Sequence, residues 1–208
     1  MQKEIARRAQ TRQSILEAAE QLFLANGYNG TSMRQIARHA GVALGGIYNY
    51  FGSKEELFFA LLEERLPAEE VLNMLAAVEG RDGAEMLGVT FENLLALARE
   101  QVDYFALILT DIREFEGRNI RHLGLDLLPG MHTFAQRIQA AGGLRDDVDE
   151  LVLMRLFISL MLGFMVTDLI AYSGEQPLMP GLPRGQAVRD SVKDVLLHGM
   201  LLREDGDG

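Results

Sequence analysis

Cysteine is missing from this chain of 208 residues, which excludes disulfides and thiolate metal sites. The four histidines, His39, His122, His132 and His198, show neither metal-ligand spacing nor accompanying carboxylates. A glycine-rich phosphate loop and a serine-nucleophile motif are also lacking, so the expectation is no enzyme, no cofactor and no metal. The acids Asp146, Asp147, Asp149 and Glu150 read as a loop and a helix cap. Long apolar runs are short in supply as well. The longest, Leu156 to Thr167, lies between Arg155 and Asp168 and is too short to cross a bilayer, so it reads as a buried helix. Residues 1–12 are basic and polar, unlike a secretory leader, and the expected location is the cytoplasm. Strand-like alternation and internal repeats are absent, which leaves an all-α fold.

What the chain has is enough apolar material, 48%, to exclude a disordered or fibrous state. Its net charge of −10 argues against a nucleic-acid partner until the charges are mapped. Residues 1–54 hold seven cations (Lys3, Arg7, Arg8, Arg12, Arg34, Arg38, Lys54) against three acids (Glu4, Glu17, Glu20), a net of +4. The remainder holds 13 basic and 27 acidic residues, a net of −14. A basic head on an acidic body attracts phosphate at one end and repels it elsewhere.

The head contains the most informative stretch, Thr31 to Lys54. Ser32 is an N-cap residue, and Gln35 completes a capping box. Met33, Ile36, Ala37 and Ala40 follow at helical spacing on one face. Gly41 then supplies a turn, and Val42, Ile47 and Phe51 give the next helix an inward face that leaves Leu44, Gly45, Tyr48 and Asn49 outward. Ser53 and Glu56 form a second expected box at the start of a third helix. Two short helices crossed at a glycine turn make a helix-turn-helix, a device for reading DNA.

From Arg8 to Arg65 the chain resembles the TetR-type transcriptional regulators. The resemblance rests on Ile15-Leu16-x-Ala18-Ala19 with Leu22-Phe23, the Gly27-Tyr28 turn, Ile36-Ala37 with Ala40-Gly41-Val42, and Ile47-Tyr48-x-Tyr50-Phe51 with Lys54. Beyond about residue 80 only the helical, apolar character agrees. The resemblance implies that Tyr48 and Lys54 hold phosphates while the residues before Tyr48 face base edges. Thr31, Ser32 and Arg34 are expected to grip the backbone across the groove. Here the chain departs from the family pattern, because Ala43, Leu44, Gly45 and Gly46 carry no hydrogen-bonding side chain where relatives often place Ser, Lys or Thr. An interior glycine costs about 0.5–1 kcal/mol of helix stability relative to alanine. The expectation is a close approach to the groove floor, with Ala43 and Leu44 on thymine methyls, Asn49 on a base, and DNA shape supplying the remainder.

Along the rest of the chain, residues 1–8 read as a basic arm, free in solution, whose Arg7 and Arg8 either reach phosphates or a minor groove or remain a solvated tail. Helices are expected over Thr11–Asn26 and from Ser53 to Leu66, with Pro67 as a kink or a new start. Further helices are expected over Ala84–Glu100, Asp103–Phe115, Asn119–Ala141 (bent at Pro129-Gly130), Glu150–Tyr172, opened by a box of Asp147 and Glu150, and Gln186–Arg203. Residues 1–54 form the expected DNA-binding domain, its linking helix continues to about 66, and 67–208 form a regulatory and dimerisation domain.

Two faces of the Glu150–Tyr172 stretch carry the remaining readings. Ser159, Gly163, Thr167 and Ala171 recur every fourth residue, a small-residue row that suits close helix packing, within one subunit or between two. The resemblance implies that the last two helices pair with their symmetry mates, adding Val192, Val195 and Leu196 to a homodimer interface. Phe157, Met161, Phe164 and Asp168 suit either an ordinary core or a pocket wall for an apolar ligand with one polar handle. Phe91, Tyr104, Phe105, Ile108, Phe115 and Phe134 join them by composition and position.

The sequence thus reads as a dimeric repressor that puts two heads into successive major grooves of a two-fold symmetric operator. A small, largely apolar effector would release it, and no membrane is involved. One alternative is control by a protein partner, marked by a large exposed apolar patch. Another is a helical enzyme, marked by a buried acid–base pair. Exchanging Ala43, Leu44 or Asn49 is expected to change which duplexes are preferred; selection from random DNA that returns the same sites for the variants would remove these residues from the reading set.

Overall fold

Residues 2–26 contain neither glycine nor proline, and they form one unbroken helix, α1 (Gln2–Asn26). In the sequence reading this helix began near Thr11 behind a free arm; the structure carries it back to Gln2 instead. The structure is a computed structural model that describes residues 1–100, 102–143, 149–172, 190–191 and 194–195. Of side chains within helices, those of 98–100, 102, 150, 153, 161, 164–165 and 168–172 fall outside that description. After α1 come α2 (Met33–His39), α3 (Leu44–Ile47), α4 (Lys54–Arg65), α5 (Ala68–Ala77), α6 (Gly83–Glu100), α7 (Val102–Phe115), α8 (Arg118–Ala141) and α9 (Glu150–Tyr172). Every regular element among the described residues is helical, so the fold is all-α. None of those helices is long and apolar enough to cross a membrane.

The helix ends follow from local chemistry. α1 stops at Gly27 (φ 73°), whose N–H donates to the Phe23 carbonyl at 2.9 Å. At α2 the expected capping box is present, with the Gln35 N–H donating to Ser32 Oγ and the Ser32 N–H donating to Gln35 Oε1. Gly41 takes the left-handed conformation (φ 70°) that any side chain would strain, and this turns the chain into α3. Only half of the second box forms: Ser53 Oγ caps the Glu56 N–H, but the Glu56 carboxylate accepts from Gly52 rather than from Ser53. Pro67 ends the helix before it. Its ring pushes Leu66 to extended geometry (ψ 115°), and α5 begins afresh at Ala68. Pro129, by contrast, lies inside a continuous α8. At α9 the Asp149 carboxylate accepts from the Leu151 N–H, while Asp147 is outside the described residues.

The chain packs as two units, residues 1–67 with 103–126, and 68–102 with 127–208. The first is larger than the head read from sequence. Its core joins Ile15, Leu16, Ala19 and Phe23 of α1, Ile36 and Ala37 of α2, Ile47, and Leu57, Phe58, Leu61 and Leu62 of α4. Tyr104, Leu107 and Leu123 complete it from α7 and α8. Full burial of side chains of this size stabilises by about 1.5–3 kcal/mol each. The Asp111 carboxylate, wholly buried, accepts from Asn119 Nδ2 (2.8 Å) and the Ile120 N–H (3.0 Å), which ties α7 to the first turn of α8. The acid complements the free donors and positive dipole end of that turn.

The second unit has its own core of Leu75, Val78, Met86, Leu87, Phe91, Leu95, Phe134, Ile138 and Phe157. Arg137 closes the end of α5 by donating to the carbonyls of Leu75, Ala76 and Val78 at 2.9, 3.0 and 2.5 Å. Gly83 is required by proximity, since a Cβ there would fall 2.5 Å from the Ile138 carbonyl oxygen. Within the expected Gln186–Arg203 helix, residues 190–191 and 194–195 are helical and the others lie outside the described residues.

Among the described residues of the first unit, the Nε of Arg65 and the hydroxyl of Tyr104 are buried without a hydrogen-bond partner. Burial, then the Asp111 charge, pushes the pKa of Tyr104 well above the ordinary 10.0. A raised folded pKa gives stability that is complete below pH 10 and is lost as the pH rises beyond it. Tyr104→Phe is expected to stabilise the chain by about 1 kcal/mol at neutral pH and by more in alkali. Urea denaturation at the two pH values checks this, and a destabilised variant would mean that the hydroxyl is satisfied after all.

Candidate nucleic-acid interface

α3 is four residues long, and such a helix does not hold its own shape. It is anchored by Ile47, fully buried, and by turns on either side. The Val42 N–H donates back to the Ala37 carbonyl at 2.9 Å, and the Tyr50 and Phe51 N–H groups both donate to Ile47. This anchoring leaves Ala43, Leu44, Gly45, Tyr48 and Asn49 exposed, with Tyr48 at 50%, and Gly46 half-buried. The outward face expected of the reading helix is therefore the face the fold exposes.

The residues expected to hold phosphate fare differently. Thr31 is 2% exposed, and its single hydroxyl proton is shared between the carbonyls of Leu22 and Gly27, at 3.0 and 2.9 Å. It closes the end of α1, and its one proton is engaged there. The Ser32 hydroxyl is engaged in the α2 cap. The Lys54 ammonium donates to the carbonyls of Tyr28 (2.8 Å) and Thr31 (2.9 Å) and lies 4.0 Å from the centre of the Tyr28 ring. Burial lowers its pKa, and the Glu114 carboxylate partly restores it. Lys54 is thus first a clamp on the α1–α2 turn, with one N–H left over. Arg34 and Tyr48 remain exposed, and neither hydroxyl nor guanidinium is engaged with another described residue.

Two features lie outside the sequence reading. Arg8 stacks on Tyr50 with its guanidinium carbon 5.8 Å from the ring centre, so the start of α1 lies beside the turn that follows α3. Asn29 in the α1–α2 turn donates to Glu114 of α7 at 2.5 Å, and Glu55 pairs with Arg118 of α8. The hydrogen bond from Arg113, aided by that from Asn29, holds the Glu114 carboxyl below the usual carboxylate range. The continuity of residues 2–26 was the available signal for the first feature; local sequence carries none for the second.

The pocket and dimer candidates are distributed as follows. Tyr104, Ile108 and Phe115 pack in the core of the first unit, and Phe91, Phe134 and Phe157 in that of the second. Phe105 is half-buried, its ring 6.4 Å from that of Tyr104. The side chains of Met161, Phe164, Asp168 and Ala171, and the residues Val192 and Leu196, lie outside the description. Ser159, Gly163 and Thr167 are exposed on α9 with Leu151, Val152, Leu156 and Leu160, and Val195 is exposed as well.

Residues 15–61 match the family model of the bacterial regulatory proteins of the tetR family. Over 174 residues the chain is 31% identical to the HTH-type transcriptional repressor Rv1474c of Mycobacterium tuberculosis, spanning 81% of this chain and 86% of that one. The chain belongs to the TetR family. Another relative, the HTH-type transcriptional repressor BepR of Brucella suis, is 41% identical over 73 residues, 35% of each chain. A solved TetR family transcription regulator from Marinobacter aquaeolei superposes with a TM-score of 0.64 at 19% identity, covering 98% of this chain and all of that one, a likeness of fold. A TetR-family regulator is a DNA-binding helix-turn-helix protein of transcription control and not an enzyme. In this one, Lys54→Ala is expected to lower stability by about 1–2 kcal/mol, since two turn carbonyls lose a charged donor. Chemical denaturation measures it, and wild-type stability would show that the clamp is idle.

Proposed function

We propose that this TetR-family regulator is a dimeric repressor that reads a two-fold symmetric operator through α3 and is released by a small, largely apolar effector. The observation that carries the reading is the exposed, side-chain-poor face of α3 set among unpaired cations in a head of net charge +4. Ala43 and Leu44 offer methyl contacts, Asn49 the one amide, and Tyr48 and Arg34 the outer grip on phosphate. Lys54 keeps one N–H for a phosphate once its two carbonyls are served.

Control by an effector needs a mechanical link to the head, and α7 and α8 supply its near end. The Asn29–Glu114 hydrogen bond and the Tyr28–Phe115 ring contact (4.9 Å) join these helices to the α1–α2 turn, and the Glu55–Arg118 pair joins them to the first turn of α4. A ligand that binds better to one position of α7 than to another would therefore shift the reading helix. Dimerisation is supported by the row of exposed apolar and small residues on α9, Leu151, Val152, Leu156, Ser159, Leu160 and Gly163, which a second copy would cover.

Selection of duplexes from random DNA with the whole chain, followed by binding titrations against a panel of apolar metabolites, tests the proposal. The expected result is an inverted repeat bound by a dimer and released by at least one member of the panel. Failure to retard any duplex at low ionic strength would overturn the DNA-reading part, and selection of asymmetric single sites would overturn the dimer.

A further inference from the structure

The beginning of α1 and the reading helix enclose an open cleft of about 620 Å³, lined by Glu4, Arg7, Arg8, Thr11, Val42, Ala43, Gly46, Asn49 and Tyr50. One wall is cationic. Arg7 and Arg8 are exposed and make no ion pair among the described residues, and Arg8 is steadied by stacking on Tyr50. Arginines that serve only solubility have no need of such placement beside a recognition element. The opposite wall, Val42, Ala43, Gly46, Asn49 and Tyr50, carries one amide and no charge.

Gly46 in that wall has no internal explanation. Its backbone is helical, and a Cβ built on it, or on the neighbouring Gly45, would meet nothing within 4 Å. Neither packing nor a left-handed conformation therefore requires glycine at either position. Alanine would favour the helix in both places, so the lack of a side chain points to something outside the chain that comes very close.

Resting on the DNA-reading proposal above, we infer that the cleft receives one sugar–phosphate strand of the operator, beside the major groove that α3 enters. Arg7 and Arg8 hold successive phosphates, Val42 and Tyr50 line the sugars, and the backbone at Gly46 comes within reach of the strand because no Cβ intervenes. A backbone strand suits the lining better than base edges do. The cations are arginines suited to phosphate oxygens, and the wall facing them has a single amide for direct reading. Glu4 is the one opposing charge, and it sits one turn before Arg8. The helical start of α1 thus widens the footprint of the head beyond the helix-turn-helix itself.

The test uses the full chain and its selected duplex in anisotropy titrations over a salt series. Arg7→Ala/Arg8→Ala is expected to lose on the order of tenfold in affinity near 0.15 M salt, and the slope of log K against log salt should flatten by about 2 units, roughly 0.9 per phosphate. Its ranking of different duplexes and its melting temperature should stay as in the wild type. Arg7→Lys/Arg8→Lys should keep the slope. Gly46→Ala should melt higher yet bind about tenfold more weakly. An unchanged salt slope in the double alanine variant, or wild-type affinity in Gly46→Ala, overturns the inference. A wild-type chain that binds no duplex would fail the DNA-reading proposal instead, so the two failures are distinct.

Discussion

Where α1 ends, Tyr28 enters a cage of aromatic rings, with Phe23, Phe58 and Phe115 centred 5.5, 5.3 and 4.9 Å from it and the Lys54 ammonium above its face. The cage joins three helices, α1, α4 and α7, at the turn that launches α2. Edge-on ring contacts and a cation over a ring face fix orientation as well as burial. That matters because α2 and α3 have seven and four residues and cannot hold their own geometry. Their positions are set by the turns that bracket them. Tyr28, Thr31 and Lys54 define one bracket, Gly41 and Val42 a second, and the Ile47 carbonyl a third.

A division of labour follows among the polar groups of the head. Those that order it are engaged internally: the hydroxyls of Thr31 and Ser32, two of the three Lys54 donors, and the carboxylates of Glu56 and Glu114. The face of α3 and the turn after it carry few polar side chains, and Tyr48 and Asn49 there are exposed. Under the proposed reading, a face with so few hydrogen-bonding side chains offers a duplex mainly methyl groups and backbone.

Features of the head that depend on near neighbours were legible in the sequence. The Ser32–Gln35 box, the Gly41 turn, the buried stripe of α1 and the outward set on α3 all follow from spacing within a few residues, and the structure shows each of them. Pro67 was legible as a place but not as an outcome, because whether a helix kinks or stops depends on what the next segment packs against. Thr31 and Ser32 looked equivalent as backbone-gripping residues, yet only the fold decides that one hydroxyl turns inward. Composition and position make Tyr104, Phe105, Ile108 and Phe115 of α7 pocket candidates. Sequence periodicity says which residues are buried, not with which partners, and Tyr104, Ile108 and Phe115 belong to the core beneath the head.

That core has a consequence for how far the head behaves as a module. Leu107 and Leu123, together with Tyr104, fill a space whose other walls are built from α1, α2 and α4, about 40 or more residues earlier in the chain. A ribosome that has made only the first 67 residues has delivered an unfinished interior, with apolar surface waiting for α7 to arrive. Exchanging heads between relatives by cutting at Pro67 would then mismatch that interior. A graft that preserves packing has to carry residues 103–126 along with the N-terminal helices.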